Sequence, residues 1–369
     1  MTRGTREALT AALREERNAA AVLQAIRREA DLLGPVRLME VCGTHTVAIR
    51  RSGIPSLLPQ NITLLSGPGC PVCVTPNRVV DHVVALARHS RITIATFGDM
   101  VRVPGSTSSL ALERSRGADV RVVYSPLDAV RLAQNSTDCE VVFLGVGFET
   151  TAPTVAIALE RASKCAQNFS VLSAHKLVPP ALTALSEMPG FAVNGLICPG
   201  HVSAIIGSSA YVPLARERGI PCVVAGFEPV DVLLSILMLL KQLREQRAEV
   251  EVEYKTAVRA EGNKKALEAM ERVFEIEDSA WRELGVIKAS GLRLGRSFEH
   301  MDADRRFEVE IEPELHHPGC LCGKVLTGTV RPPECAMFGE RCTPATPLGP
   351  CMVSSEGTCA AYYRYGAER

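Results

Sequence analysis

The chain has no apolar run long enough to cross a bilayer: the longest, Val232 to Leu240, is less than half of what a spanning helix needs. It has no excess of either charge, with 41 Lys and Arg against 41 Asp and Glu, and no long basic stripe. Neither nucleic acid nor an anionic membrane is therefore an expected partner. Aromatics make up only 5% of the residues, so the core must rest on Val, Leu, Ile and Ala. Near the start, Arg3, Arg6, Arg14, Glu15, Glu16 and Arg17 interrupt every apolar stretch, and nothing there resembles a signal peptide. Two nucleotide signatures are missing as well. Gly145-x-Gly147 lacks the third glycine of a dinucleotide fingerprint, and no G-x-x-x-x-G-K-S/T occurs.

Cysteine, in contrast, is abundant, and six of the thirteen fall between Cys320 and Cys359 in a proline-punctuated segment. A chain of 369 residues can bury a large core and does not need disulfide staples. A reducing, cytoplasmic setting is the expectation, and clustered thiols there usually hold metal. Cys320, Cys335, Cys342 and Cys359 are separated by fourteen, six and sixteen residues, with Cys322 and Cys351 as alternates. A zinc ribbon would show two tight C-x-x-C knuckles. Thiolates spread over long irregular loops suit an iron–sulfur cluster better, with zinc the second reading and unliganded buried thiols the third.

Four short apolar runs, Val36 to Val41, Ile62 to Leu65, Ile92 to Thr96 and Val120 to Tyr124, each end in a Gly- or Pro-rich loop and lead into a helix-like stretch. Four more follow in the same order: Val141 to Leu144, Ser170 to Leu172, Gly195 to Ile197 and Cys222 to Ala225. Their loops align in order. Cys42-Gly43-Thr44-His45-Thr46 matches Gly147-Phe148-Glu149-Thr150-Thr151, and Gly67-Pro68-Gly69-Cys70 matches Ser173-Ala174-His175-Lys176. Further on, Phe97-Gly98-Asp99 matches Pro199-Gly200-His201, and Ser125-Pro126-Leu127-Asp128 matches Glu228-Pro229-Val230-Asp231. The pattern predicts an α/β fold of two related parallel-sheet domains, 36–135 and 136–245, facing a cleft. A helix over 1–35, with Leu23, Ile26, Ala30 and Leu33 at helical spacing, is expected to pack on a helical and Cys-rich third domain, 246–369. Within that last third, Glu251 to Glu277 reads as helical, Trp281 to Gly285 as a short helix and Arg305 to Glu310 as a strand.

Chemistry in such sheets sits at the carboxyl ends of the strands. Cys70-Pro71-Val72-Cys73 follows a glycine turn and opens a helix, an arrangement that favours thiolate and reads as a redox pair. Half of a metal site is the alternative, but no second C-x-x-C exists. Cys42, with Gly43 and His45 beside it, is expected to be exposed and to act as a nucleophile or a soft ligand for iron. Glu149, His175, His201 and Glu228 lie at the matching loop tips and are expected to line the same cleft, with Thr150, Thr151 and Lys176 beside them. Ordinary packing accounts for Cys139, Cys165, Cys198 and Cys222.

Together with Cys351-Met352-Val353-Ser354-Ser355-Glu356-Gly357-Thr358-Cys359 near the end, these motifs resemble those of the HypD family of hydrogenase maturation factors. The resemblance spans residues 39–363 and implies a cytosolic protein with two α/β domains and a third domain holding a [4Fe-4S] cluster. It implies partnership with a small chaperone, HypC, and a cyanide donor, HypE, in building the Fe(CN)2CO unit of [NiFe]-hydrogenases. Cys42 would hold the iron of that unit, Cys70 and Cys73 would be the redox pair, and the late cysteines would be the cluster ligands. On that reading His45, Glu149, His175 and His201 serve the cleft of a redox-active assembly scaffold. The competing reading is a disulfide reductase resembling the ferredoxin-dependent kind, in which the cluster feeds the C-x-x-C pair.

Overall fold

The computed structural model describes residues 18–315 and 318–366. All eight expected strands form: β1 Val36–Glu40, β2 Ile62–Ser66, β3 Ile92–Thr96, β4 Val120–Val122, β5 Glu140–Gly145, β6 Phe169–Ser173, β7 Gly195–Pro199 and β8 Cys222–Ala225. A ninth, β9 Val250–Val252, and a hairpin of β10 Phe274–Trp281 and β11 Gly285–Leu294 follow. β3, β7 and β8 are buried along their whole length, so they read as unbroken apolar runs and not as alternations. Helices start where the loops supply caps; Ser125 Oγ, for example, accepts the Leu127 N–H ahead of Pro126.

β1 to β9 form two parallel sheets, ordered β2-β1-β7-β8-β9 and β4-β3-β5-β6. This corrects the division into 36–135 and 136–245, which would have kept β1 to β4 in one sheet and β5 to β8 in the other. Each sheet takes the first strand pair of one half and the second pair of the other, joined through β1–β7 and through β3–β5. The internal repeat therefore holds, but its two copies have exchanged their second pairs. A strand's sequence carries its burial and its loop chemistry; it does not carry which of two similar copies it will pair with. In both sheets the strand order reverses at one place, between β1 and β7 and between β3 and β5, the position at which such sheets bind ligands beyond the carboxyl ends of their strands.

The first helix is seen over residues 18–30, while the part expected over 5–17 lies outside the described residues. Its Ile26 and Ala30 pack with Leu38, Ile197 and Val223 of the five-stranded sheet and with Ile236 of the helix Pro229–Arg244. Glu29 pairs with Arg244 at 3.2 Å, and Asn61 Nδ2 donates to the Ala30 carbonyl at 2.8 Å. The expected docking on the Cys-rich region is thus corrected: the stripe finds its apolar partner on the sheet face beside it.

The expected third domain over 246–369 also divides differently. Helix Lys264–Val273 packs its Ala269, Met270 and Val273 against Ala156 and Leu159 of the four-stranded sheet's cover, and Leu177 N–H donates to the Ser290 carbonyl of the hairpin. Residues 264–306 so belong to the second α/β lobe. Trp281 ends a strand instead of starting a helix, because Glu283 and Gly285 both take positive φ and turn the chain back. At Arg305 the expected strand is replaced by the turn Ala303–Arg306, capped by the Asp302 carboxylate on Asp304 N–H.

Only the Cys-rich segment from Pro318 onward stands apart, and it is wedged against both sheets. Its helix Thr358–Tyr365 lies on helix Gly43–Arg51, with the Arg50 guanidinium 3.5 Å over the Tyr362 ring. Asp99, after β3, accepts from Ser354 Oγ, Ser355 N–H and Ser355 Oγ at 3.0–3.2 Å. Asp99→Ala removes the acceptor of buried Ser354 Oγ and two bonds to exposed Ser355, and is expected to destabilise the chain by about 1–2 kcal/mol. Hydrogen exchange should quicken over 350–366 and not in the sheets; unchanged exchange there would show that Asp99 does not anchor the segment.

Candidate thiol-lined functional site

Cys42 is the residue before helix Gly43–Arg51, in extended backbone, and its carbonyl accepts the Thr46 N–H at 3.0 Å. Its sulfur sits against the free backbone N–H groups of Thr44 and His45 at the helix start. Beneath the loop, the buried Glu40 carboxyl accepts from Cys42 N–H at 3.0 Å and Thr46 Oγ1 at 2.5 Å, and burial pushes it up to about 7. The loop leaves no room for side chains where Cys70's turn crosses it. A Cβ on Gly69 would run into the Cys42 backbone, and one on Gly43 would run into Glu356. Close packing corrects the expectation that Cys42 is exposed: it is 8% accessible, and burial pushes its thiol up to about 12.

A cavity of about 390 Å³ opens over Cys42 at the crevice between β1 and β7. All three parts of the molecule line it: Cys42, Pro71 and His201 from the first sheet, Phe148 and Thr150 from the second, and Glu356 from the Cys-rich segment. Glu356 Oε1 accepts from Thr44 Oγ1 at 2.7 Å.

His201 is exposed at this cavity, with its ring 3.9 Å from that of Phe227. His45 stacks on Phe227 at 4.6 Å, meets the Gly226 carbonyl through Nε2 at 2.8 Å, and is pushed down to about 4 by burial. It is a neutral prop for Phe227 and His201, not a partner of the Cys42 sulfur.

Glu149 turns away from the cavity that its neighbours line. One oxygen accepts Val178 N–H at 2.9 Å, the other is buried without a hydrogen bond against a mainly apolar cavity of about 240 Å³, and burial pushes the carboxyl up to about 7. His175 is enclosed under the β10–β11 hairpin, with Nδ1 3.0 Å from Ser173 Oγ and its ring tilted on Phe274; burial pushes it down to about 3. Exposed Glu228 begins helix Pro229–Arg244, where its N–H donates to Asp231. The repeat brought Glu228 and Ser125 into alignment because both cap a helix.

Cys70 caps the turn Pro71–Val74, its sulfur accepting the Cys73 N–H at 3.3 Å. Cys73 is fully buried, which pushes its thiol well up, and it meets the thiols of both Cys70 and Cys351. Cys351 Sγ is 2.9 Å from Cys322 Sγ, and Cys322 in turn meets Cys320 while Cys351 meets Cys359. A continuous line of sulfur thus runs from Cys70 to Cys320. The sequence reading treated Cys322 and Cys351 as alternates; they are the link. A usable signal was present, since Gly349-Pro350-Cys351 repeats the glycine–proline turn into a cysteine-bearing helix seen around Cys70.

Cys320, Cys335, Cys342 and Cys359 surround the far end of this line. Cys342 faces Cys359 and Cys320, its sulfur accepts Leu348 N–H at 3.4 Å, and Cys335 Sγ lies 3.8 Å from the Gly319 carbonyl. Among the described residues no three His, Cys, Asp or Glu side chains converge as a single metal ion requires. Soft thiols from separate loops, one with a backbone N–H on its sulfur, are the kind of donor that iron–sulfur clusters take.

The HypD family model, described as the hydrogenase formation hypA family, matches residues 17–366. The chain belongs to the HypD family. It is 48% identical over 352 residues to the hydrogenase maturation factor HypD of Azotobacter vinelandii, covering 93% of each chain. With the HypD of Escherichia coli (strain K12) it shares 45% over 333 residues, 90% of this chain and 89% of the other. With that of Rhodobacter capsulatus it shares 45% over 359 residues, 94% and 95%. The family match takes in every thiol of the line and the whole Cys42 cavity. Among the described residues no helix of this HypD-family chain is long and apolar enough to cross a membrane.

The folded chain keeps the Glu149 proton up to about pH 7, whereas the unfolded chain loses it near 4.5. Across that window the folded state binds more protons, so stability falls as pH rises through it. Glu149→Gln has no proton to lose. Relative to the native chain it should gain about 2–3 kcal/mol above pH 7 and little at pH 4. Urea unfolding at the two pH values checks this; an equal difference at both would contradict the burial of the carboxyl.

Proposed function

We propose that this chain serves hydrogenase maturation as a cytoplasmic redox scaffold on which the Fe(CN)2CO unit is assembled, with a HypC-like chaperone and a HypE-like cyanide donor as partners. The observation that supports this best is the line of sulfur from Cys320 to Cys70, which ends beside the Cys42 cavity: Gly43 N–H donates to the Gly69 carbonyl at 2.9 Å, locking the two loops together. Cys42, with a thiolate from the chaperone, holds the iron cargo. Its thiol, pushed up to about 12, gives up its proton on binding the metal and not before. His201, which lines the same cavity, takes that proton.

A [4Fe-4S] cluster held by Cys320, Cys335, Cys342 and Cys359 supplies one-electron transfer when bound. The chain's own part is dithiol–disulfide exchange. With Cys70 and Cys73 oxidised, Cys351 attacks Cys73 sulfur as its proton passes to the departing Cys70 sulfur; Cys322 then closes on Cys351 as its proton passes to the departing Cys73 sulfur. Two electrons and two protons pass in this way to the pair beside the Cys42 cavity. Phe227 holds His45 and His201 in one stack, and Glu356 brings the Cys-rich segment to the same cavity.

Cys42→Ala should abolish hydrogenase maturation while the protein stays folded and brown, and the infrared bands of iron-bound cyanide and carbon monoxide should vanish from copurified iron. Normal maturation in that variant would refute the ligand role. Disulfide reduction that persists in it, with no such bands in the native protein, would favour the reductase reading.

A further inference from the structure

Lys176, at the carboxyl end of β6, takes no part in the thiol site, yet its surroundings are those of a binding site. It is 3% exposed. Among the described residues the one hydrogen-bond partner of its ammonium is the Ser279 hydroxyl, at 2.5 Å, and no carboxylate closes on it as an ion pair. An ammonium buried against a neutral partner is costly unless something else compensates the charge. Lys176 lines a cavity of about 370 Å³ between the second sheet, helix Asn77–Ala87 and the hairpin.

Cationic side chains and carboxylates are mixed around that cavity. Arg293 pairs with Glu275 at 2.5 Å, and Arg305 with Glu299 at 3.0 Å and Asp302 at 3.9 Å, while Asp304 lies 3.4 Å from the His82 ring, whose proton affinity burial lowers. Lys176 and the exposed Arg78 have no such partner among the described residues; half-buried Glu277 is the nearest opposing acid. The hairpin is bent to serve this spot. A β-bulge between Glu277 and Ser279 redirects Ser279, Ala289 opposite takes a left-handed φ of 50°, and a Cβ on Gly291 would strike Ser279.

We propose that this cavity binds a small oxyanion, the carboxylate or phosphate group of a ligand, with Lys176 as its buried counter-charge, Arg78 at the rim and Ser279 aiming the ammonium. The site is separate from the Cys42 cavity and does not rest on the maturation reading. Burial holds the Lys176 ammonium down to about 8, so the empty cavity keeps a charge that an arriving anion would secure.

Thermal unfolding and calorimetry of the full chain with inorganic phosphate, and separately with acetate, at ionic strength held constant with chloride, test this directly. One of the two anions should bind and raise the melting temperature; which one does so identifies the group recognised. Lys176→Met should weaken that binding at least tenfold while the anion-free protein melts no lower than native, because an uncompensated buried charge has been removed. Arg78→Gln, at an exposed position, should weaken binding about threefold with no change in the anion-free melt, and it decides the matter should Lys176→Met not fold. No effect of either anion on the native chain, or binding that survives both substitutions, overturns the proposal.

Discussion

Thiol packed against thiol in an interior that excludes water is the constraint on which the rest of the structure depends. Burial raises the proton affinity of Cys42 and Cys73. Sulfur in that state does not act as a freely ionised nucleophile; it reacts with what is held in contact with it, another sulfur or a metal that displaces its proton. The architecture provides that contact. Cys73 meets Cys351 only because helix Pro350–Val353 is driven between the two sheets, where Cys351 joins the core of the first and Val353 that of the second. Asp99 and Arg50 fix that wedge from opposite sides.

Exchange of strand pairs between the two halves has the same effect at larger scale. Neither half of the chain forms a sheet alone, so the loops after β1 and β7, which carry Cys42 and His201, come from different copies of the repeat. The Cys42 cavity needs the first sheet, the β5 loop and the Cys-rich segment together, and local loosening of any of them reaches Cys42. Glu356 illustrates this economy: five residues beyond Cys351, it covers Gly43 and bonds to Thr44.

Much of this was legible in the sequence. The eight strands fell within two residues of their observed ends, because fully buried parallel strands and their Gly- or Pro-rich exits leave an unambiguous local pattern. Cys42 and His201 line one crevice, with Gly69 and Pro71 from either side of Cys70, as the rule that loops at strand ends carry the chemistry leads one to expect. What failed depended on long-range choice. Pairing across the halves, the docking of the first helix and the closing of the hairpin over His175 are decided by which surfaces meet. A short motif such as His175-Lys176 does not record that its imidazole will be enclosed and its amine left to face a separate cavity. Glu149 shows the finer limit: Phe148 and Thr150 reach the cavity, and the residue between them points to the other side of the turn.

The continuity of the sulfur line is the claim on which the account stands. It is tested most directly by trapping its central link. In a chain carrying Cys70→Ser, Cys322→Ser and Cys359→Ser, Cys73 and Cys351 lose the other thiols they meet, and mild oxidation followed by peptide mass spectrometry should return a Cys73–Cys351 disulfide as the main crosslink. Recovery of both as free thiols, or joined to other cysteines, would contradict it.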